Sequence, residues 1–561
     1  MSHKSSPSHG VKPSCSPSNS RSRSPSRYDA ESHIITGSEL NQEGVPSEDF
    51  KRELDSRHLS FLALDSGIGT GLFIGSGNIL ATGGPGSLMI DFIILAFMVV
   101  TVIFAVGEML AAFPRAGTYS SLMTRFVDPS LGFAVGLNYL LTWLIIFPVE
   151  LTAATMVIQY WDPNEHVPKG IWVAIIMASV FLINLFGVRF FGEVEFFTTS
   201  IKMLAIIGFI ICAVVIDCGG TPRKHYFGAD TWHNPGAFAN GFKGFSNAFA
   251  FAALAYGGSE IVGITAGEAR HPHKYLPRAC KFIVYRVILF FILSLFMVTL
   301  LVPYDDPRLQ GSSSNPRASP FVIAIKQGNI YALPSIFNGV ILISVVSVAN
   351  AALYSSSRLV HSMAKDGFLP HFLVFQDKKG RPWLGYVVVL LFGLLGFLVY
   401  SASENEVFNW LGSITGLSVI ILWAALCMGH IRFRQAWRLQ GHSLNELPWT
   451  SPLGELGSYF GVLVNLLVLV ATFYTSAFPI GEGEMDSRDR GKNFFQNYLS
   501  VVIILFSFFD HKLFTRSSVV KLRDIDLVSG LRPSEPDVIL EQERRALQQR
   551  PRWKKIVDAL F

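Results

Sequence analysis

Apolar runs of about 20 residues recur from Phe61 to Phe514, each long enough to cross ~30 Å of hydrocarbon as a helix. In a bilayer the backbone has no water to bond to, so only helices and closed barrels can span it, and continuous runs of this length select helices. Half of the 561 residues are hydrophobic and 16% are charged, well below the ~25% of a soluble globular chain. The formal charge of +5 resides in short loops and two tails, so it reports topology and gives no footing for nucleic-acid binding. The five cysteines make neither a disulfide framework nor a CxxC metal pattern.

Hydropathy windows predict twelve spans, near 60–81, 87–111, 131–158, 171–188, 196–216, 238–265, 283–303, 331–357, 384–401, 407–428, 456–476 and 494–514. Loops on one side are richer in Lys and Arg, among them Arg115, Arg125, Arg270, Lys274, Arg278 and Lys281, which predicts that both termini are cytosolic. Residues 1–59 contain the run Ser18–Arg27, rich in Ser and Arg, and no apolar stretch. They are expected to form a disordered cytosolic tail with no cleavable signal. The remainder divides into a core of ten helices over 60–428, two further helices over 429–514, and a second cytosolic tail over 515–561.

The first span carries glycine at 67, 69, 71, 75 and 77. Each glycine inside a helix costs roughly 1 kcal/mol relative to alanine, so the span is expected to unwind near Ile68 to Leu72. Gly67, Gly71 and Gly75 also have the GxxxG spacing of a close helix contact, and on this span alone unwinding and packing are both open readings. The sixth span repeats the feature, with Ala255-Tyr-Gly-Gly-Ser-Glu260 inside an apolar run. Two breaks five spans apart predict an inverted repeat of spans 1–5 and 6–10, whose broken helices meet in a binding site. Half-helix N-termini suit a carboxylate and free carbonyls suit an ammonium group, so a zwitterion fits both. Candidate ligand contacts are Ile68, Gly69, Thr70, Gly71, Leu72, Leu254, Ala255, Tyr256, Gly257, Gly258 and Ser259.

Ionisable residues at bilayer depth cost about 2.5–3.5 kcal/mol on insertion scales and mark function by default. Glu260, Lys202, Glu150 and Glu108 stand out. Glu260 follows the sixth-span break and is read as a proton-exchanging or gating group, with a structural bond to loop backbone as the alternative. Lys202 is either a titrating or fixed cation, or a lysine snorkelling to the interface. Glu150, after the kinking Pro148, is a coupling candidate unless solvated near the outer surface, and Glu108 is expected to anchor a loop. No span holds paired acids or a His-x-x-Glu-His arrangement, so an intramembrane enzyme is not expected.

Five motifs occur in one order: Gly67-Ile-Gly-Thr-Gly-Leu-Phe-Ile-Gly-Ser-Gly77, Arg125-Phe-Val-Asp-Pro, Ile183-Asn-Leu-Phe-Gly-Val-Arg189, Gly263-Ile-Thr-Ala-Gly-Glu-Ala269, and Ser347-Val-Ala-Asn350 through Met363-Ala-Lys-Asp-Gly367. From about Arg57 to Phe514 the chain resembles the fungal amino-acid permeases of the amino acid, polyamine and organocation superfamily. The resemblance implies an all-α, LeuT-like five-plus-five fold with two extra helices, and a proton-coupled symporter of L-amino acids in the plasma membrane. It needs no cofactor beyond the proton gradient. It also implies that Gly69, Thr70 and Gly71 meet the substrate carboxylate, and that Glu260 matches the family's sixth-span acid. Lys202 stands near the position of a sodium ion in other relatives, and the tails would meet ubiquitin-ligase or adaptor machinery. A nutrient receptor that binds amino acids without carrying them is the competing function.

Departures from the family accompany the resemblance. Asp65-Ser66-Gly67 replaces the usual Gly-Gly-Thr, and Leu254 stands where an aromatic gate is common. Arg550-Pro-Arg-Trp-Lys-Lys resembles the family's amphipathic tail end, but the terminal cysteine of many members is absent, so lipidation there is not expected. Asn138, Leu254, Asn350 and Thr415 are guesses for side-chain selectivity.

Overall fold

The computed structural model describes residues 56–531 apart from 66, 114–117, 267–271, 310–318, 378, 401–403 and 482–485. The tail expected over 1–59, up to residue 55, and the amphipathic end at 550–555 lie outside the described residues. No strand occurs among the described residues. The α-helices run in the order α1 Ser56–Asp65, α2 Ser76–Ala112, α3 Tyr119–Phe126, α4 Pro129–Ile158, α5 Lys169–Leu185, α6 Val188–Asp217, α7 Gly241–Asn247, α8 Phe249–Tyr256 and α9 Ile261–Ala266. They continue with α10 Pro272–Tyr285, α11 Ser294–Leu301, α12 Pro320–Gln327, α13 Leu333–Lys365, α14 Trp383–Gly393, α15 Glu404–Leu439, α16 Gly454–Ala477 and α17 Ser487–Thr515.

Nine helices among the described residues are long and apolar enough to cross a membrane. One of them, Gly71–Ala112, covers the second half of the first predicted span and all of the second, and is bent at Gly84, whose φ of +82° and following Pro85 end one helical direction and begin another. The fourth predicted span is the shorter α5. The sixth, 238–265, is three short helices instead of one, because Ala248 and the residues after Tyr256 interrupt it. α6 begins at Val188, eight residues before the predicted fifth span.

Burial sorts the helices into layers. In their most apolar windows, 83% of α4 and 78% of α15 is buried, so these form the centre, while only 17% of α17 is buried. Phe506, Leu513 and Phe514 on α17 and Leu456 and Val470 on α16 are exposed. A continuous apolar exterior of this kind is unfavourable in water and matches hydrocarbon.

The loops on one face are tied together. Thr118 donates to Asp366, Arg381 to the Leu185 carbonyl, and Arg432 to the Phe126 carbonyl. The segment after α17 crosses the same face. Val520 N–H bonds the Val127 carbonyl at 2.9 Å, Gln440 donates to the Ile525 carbonyl at 2.8 Å, and Ile525 and Leu527 are buried. This is called the tail face, because α1 begins there and α17 ends there.

Glu108, near the end of α2, is fully buried and accepts both arms of Arg434 at 2.8 and 2.6 Å and the Ser451 N–H at 2.5 Å. It thereby anchors the loop between α15 and α16, the role expected of it. Replacing it by alanine leaves a buried guanidinium without its partner, a loss of about 3 kcal/mol. Glu108→Ala is expected to lower the unfolding temperature of detergent-purified protein by several degrees, and an unchanged midpoint in a thermal-shift assay would show that the pair carries no net stability.

Candidate functional site

Two interrupted helices cross inside the bundle. α1 ends at Asp65, the chain turns through Gly67 at φ +91°, and helix resumes at Thr70. Ile68 N–H closes the turn on the Asp65 carbonyl at 2.9 Å. The unwinding expected over 68–72 is therefore earlier and shorter, since Gly71 and Leu72 already lie in a widened π turn, Gly71–Gly75. The second break lies between α8 and α9 and places Gly258 at φ +83°. A Cβ on Gly71 would fall 2.4 Å from Ala255 Cα, and one on Gly67 2.7 Å from the Ala255 carbonyl oxygen. Backbone meets backbone here, so the glycines serve both unwinding and close packing.

A small cavity of about 30 Å³ surrounds the crossing. That is room for one or two waters and too little for an amino acid. Gly69, Thr70, Gly71, Leu254, Gly257 and Gly258 line it, with Asp65, Trp143, Glu150 and Val348. Glu150 is buried, not solvated, and its Oε1 accepts from the Thr70 hydroxyl at 2.7 Å. Its Oε2 has no hydrogen-bond partner among the described residues.

Other predicted contacts face elsewhere. Tyr256 points away from the cavity: its hydroxyl donates to the Phe92 carbonyl at 3.0 Å and its ring stacks on Phe291. Ala255 is the surface against which Gly71 packs, and Ser259 donates to the Tyr256 carbonyl at 2.5 Å while receiving a bond from Arg286. Ile68 and Leu72 are wholly buried in the core. Of the selectivity guesses other than Leu254, Asn138 donates to the Ser418 carbonyl, Thr415 bonds carbonyls of its own helix, and Asn350 bonds Glu195. None of these three lines the cavity.

Glu260 is completely buried. Its carboxylate accepts from the Gly258 N–H at 3.2 Å and the Trp423 indole at 3.3 Å, and its carbonyl accepts from the Tyr119 hydroxyl at 2.5 Å. It therefore has the bond to break backbone that was the alternative to proton exchange. Lys202 is fully buried, which excludes snorkelling, and its ammonium pairs with Asp65. A carboxylate at the C-terminus of α1 opposes the helix dipole, and the lysine compensates it.

Three buried charged groups were missed, and a fourth was noted without its partner. Glu195 fell one residue before the predicted fifth span, although it lies on the same helix as Lys202. Asp91 is buried within α2 without a hydrogen-bond partner for either oxygen among the described residues, and nothing in the structure explains it. Arg286 lies in the run between α10 and α11, and Asp65 had been noted without a partner. A scan for every ionisable residue in or beside an apolar run would have found all four.

A larger cavity, about 510 Å³, is lined by Ile74, Met156, Gln159, Tyr160, Lys326 and Asn338 near the end of α4 and the start of α13. It lies opposite the tail face, on what is called the far face. The tail side of the crossing is filled: Phe191 and Tyr354 stack at 4.0 Å, and the Arg358 guanidinium sits 3.7 Å over Tyr354.

A family profile described as amino acid permease matches residues 58–523. The chain is 45% identical over 508 residues to the amino-acid permease GAP5 of Candida albicans, covering 90% of this chain and 81% of that one. It is similar to the histidine permease of Saccharomyces cerevisiae, 43% identical over 519 residues, covering 91% and 85% of the two chains. It is also similar to the tryptophan permease of the same yeast, 44% identical over 510 residues, covering 89% and 85%.

The crossing discriminates between glycines. Gly71→Ala would drive a methyl into Ala255, whereas a Cβ on Gly75 meets nothing closer than 3.6 Å. Gly71→Ala is expected to abolish radiolabelled amino-acid uptake in a transport-deficient host and Gly75→Ala to retain most of it; equal activity of the two variants would refute the close crossing.

Proposed function

Because this chain belongs to the amino-acid permease family, we propose that it is a plasma-membrane permease that carries L-amino acids into the cell together with protons, by alternating access. The observation that carries this reading is the crossing of two broken helices around a small cavity. The helix that restarts at Thr70 offers the N–H groups of its first turn and the positive end of its dipole. These suit a carboxylate, held by the main chain of Gly69, Thr70 and Gly71. The carbonyl end of α8 suits the ammonium group. The side chain then meets Trp143, Leu254 and Val348, a largely apolar wall with the Glu150 carboxyl at its edge.

Twelve spans belong to the same reading. They comprise the nine long helices, α5, the broken segment α7 to α9, and one more from dividing the chain at Gly84, which joins α1 and the helix from Thr70 to Gly83 into one span and leaves Pro85–Ala112 as another. Spans 1–5 and 6–10 then each open on a broken helix, as an inverted repeat requires. The tail face is cytosolic, so the far-face cavity is the outer vestibule. Lys202 supplies a fixed positive charge beside the first break, which disfavours a sodium ion there, and Glu260 and Glu150 are, with Asp65, buried acids beside the crossing. Relatives named for histidine and for tryptophan are 43% and 44% identical, so overall similarity does not select one side chain.

Uptake of a radiolabelled mixture of the twenty amino acids by a transport-deficient host is expected to fall to the passive level when a protonophore collapses the gradient. Accumulation that survives the protonophore would defeat proton coupling, and competition by each unlabelled amino acid in turn would define the range.

A further inference from the structure

The pairing of Asp65 with Lys202 belongs to a larger buried cluster. Glu195 stands seven residues before Lys202, two turns earlier on the same face of α6. Its Oε1 accepts from Asn350 Nδ2 at 2.5 Å, and Asn350 is itself oriented by Asn184, which donates to its Oδ1 at 2.7 Å. Glu195 Oε2 lies 2.5 Å from the Ser347 hydroxyl. That hydroxyl also lies 3.5 Å from Asp65 Oδ2 and 3.1 Å from Thr198 Oγ1. One hydroxyl, on α13, thus bridges a carboxyl of α1 and a carboxyl of α6.

Charge arithmetic decides how many protons this cluster holds. Two ionised carboxyls and one ammonium sum to −1, and all three groups are almost wholly buried. In such a medium the neutral arrangement is favoured, so one proton is shared by the two acids. Asp65 takes the ammonium directly, which leaves the proton on Glu195. The surrounding charged groups are Glu150 of α4 and Arg286, both of which act electrostatically on Asp65, together with Glu260 beyond the second break. The His58 and Glu193 pair joins α1 to α6 nearer the tail face.

We propose that Glu195, Ser347 and Asp65 form a proton relay that latches and releases α1, an inference that rests on the proton-coupled reading above. The Ser347 oxygen accepts the proton from Glu195 Oε2 as its own hydroxyl proton passes to Asp65 Oδ2. One O–H bond is lost at Glu195 and one is formed at Asp65, with no change in total charge. The counter-charge of Lys202 thereby moves from α1 to Glu195 on the lysine's own helix. The ion pair at the broken end of α1 disappears, which loosens α1 beside the cavity it lines and leaves the His58 and Glu193 pair as its tie to α6. Asp65 lines that cavity, so its proton leaves to the tail side once the cavity opens there.

The test uses the full chain in proteoliposomes with the radiolabelled mixture of twenty amino acids. Accumulation driven by a pH gradient is compared with exchange at equal pH and equal concentration, which needs binding and motion but no net proton flow. Ser347→Ala is expected to lower driven accumulation roughly tenfold relative to exchange and to flatten its pH profile. Ser347→Thr, which keeps the hydroxyl, is expected to recover most of it, and Glu195→Gln to leave exchange without accumulation. A Ser347→Ala protein with the wild-type ratio and pH profile, or one that loses exchange in the same proportion, overturns the relay while coupling stands. A wild-type protein that ignores the pH gradient overturns both.

Discussion

Everything at the centre of this molecule depends on two backbones touching where Gly71 crosses Ala255. With only 2.4 Å between Ala255 Cα and the place a Cβ of Gly71 would occupy, no other side chain fits without moving one helix. Such proximity brings the restart of one helix and the end of another to a single cavity, which neither could enclose alone. The cost is lost helical hydrogen bonding at both breaks. It is offset locally by short turns, Ile68 to Asp65 and Gly263 to the Glu260 carbonyl, so that little backbone is left unsatisfied.

Charge imposes the second constraint. Each of the buried acids Asp65, Glu108, Glu195 and Glu260 has specific donors, and two of them have a cationic partner drawn from a distant part of the chain. The two ion pairs differ in what they join. Glu108 and Arg434 tie the end of α2 to the end of α15 beneath a packed loop, with a backbone N–H completing the carboxylate's shell, which suits a permanent joint. Asp65 and Lys202 tie a short half-helix to a long one, and a second acid competes for the same cation. A joint with two alternative counter-charges can be switched by one proton, because moving that proton changes which helix holds the lysine.

Much of this was legible in the sequence, and what was not has physical causes. Apolar length marked the membrane-crossing segments, and glycine chemistry marked both breaks, with Gly67 and Gly258 in the positive-φ region that glycine tolerates. Rotation about the helix axis was not legible: Tyr256 sits at a break, yet its ring turns toward Phe291 because that is where a partner and a carbonyl await it. Nor could pairing be read, since Asp65 and Lys202 are 137 positions apart and only the fold brings them together. Glu195 was lost to a span boundary placed too late, which shows how a window average hides a charge at the end of an apolar helix.

The distribution of polar contacts also indicates which parts can move. The segment after α17 bonds to Val127, Arg125, Arg432 and Gln440, all on or beside α3 and α15, and Lys512 bonds Asp128 at the start of α4. Each such bond is worth about 1 kcal/mol net, so separating these elements would forfeit several kcal/mol at once. Among the described residues, α1 is held by the Asp65 pair, the His58 and Glu193 contact, and packing against α6, α9 and α10. Parting the strapped helices would forfeit all of those bonds, whereas displacing α1, the motion proposed above, breaks the Asp65 pair. Population arithmetic agrees, because a ligand shifts an equilibrium only by its differential affinity, and a gap of about 3 kcal/mol already demands a roughly hundredfold preference for one state. In the proposed mechanism, a motion confined to α1 keeps that demand within reach of a single small zwitterion and a proton.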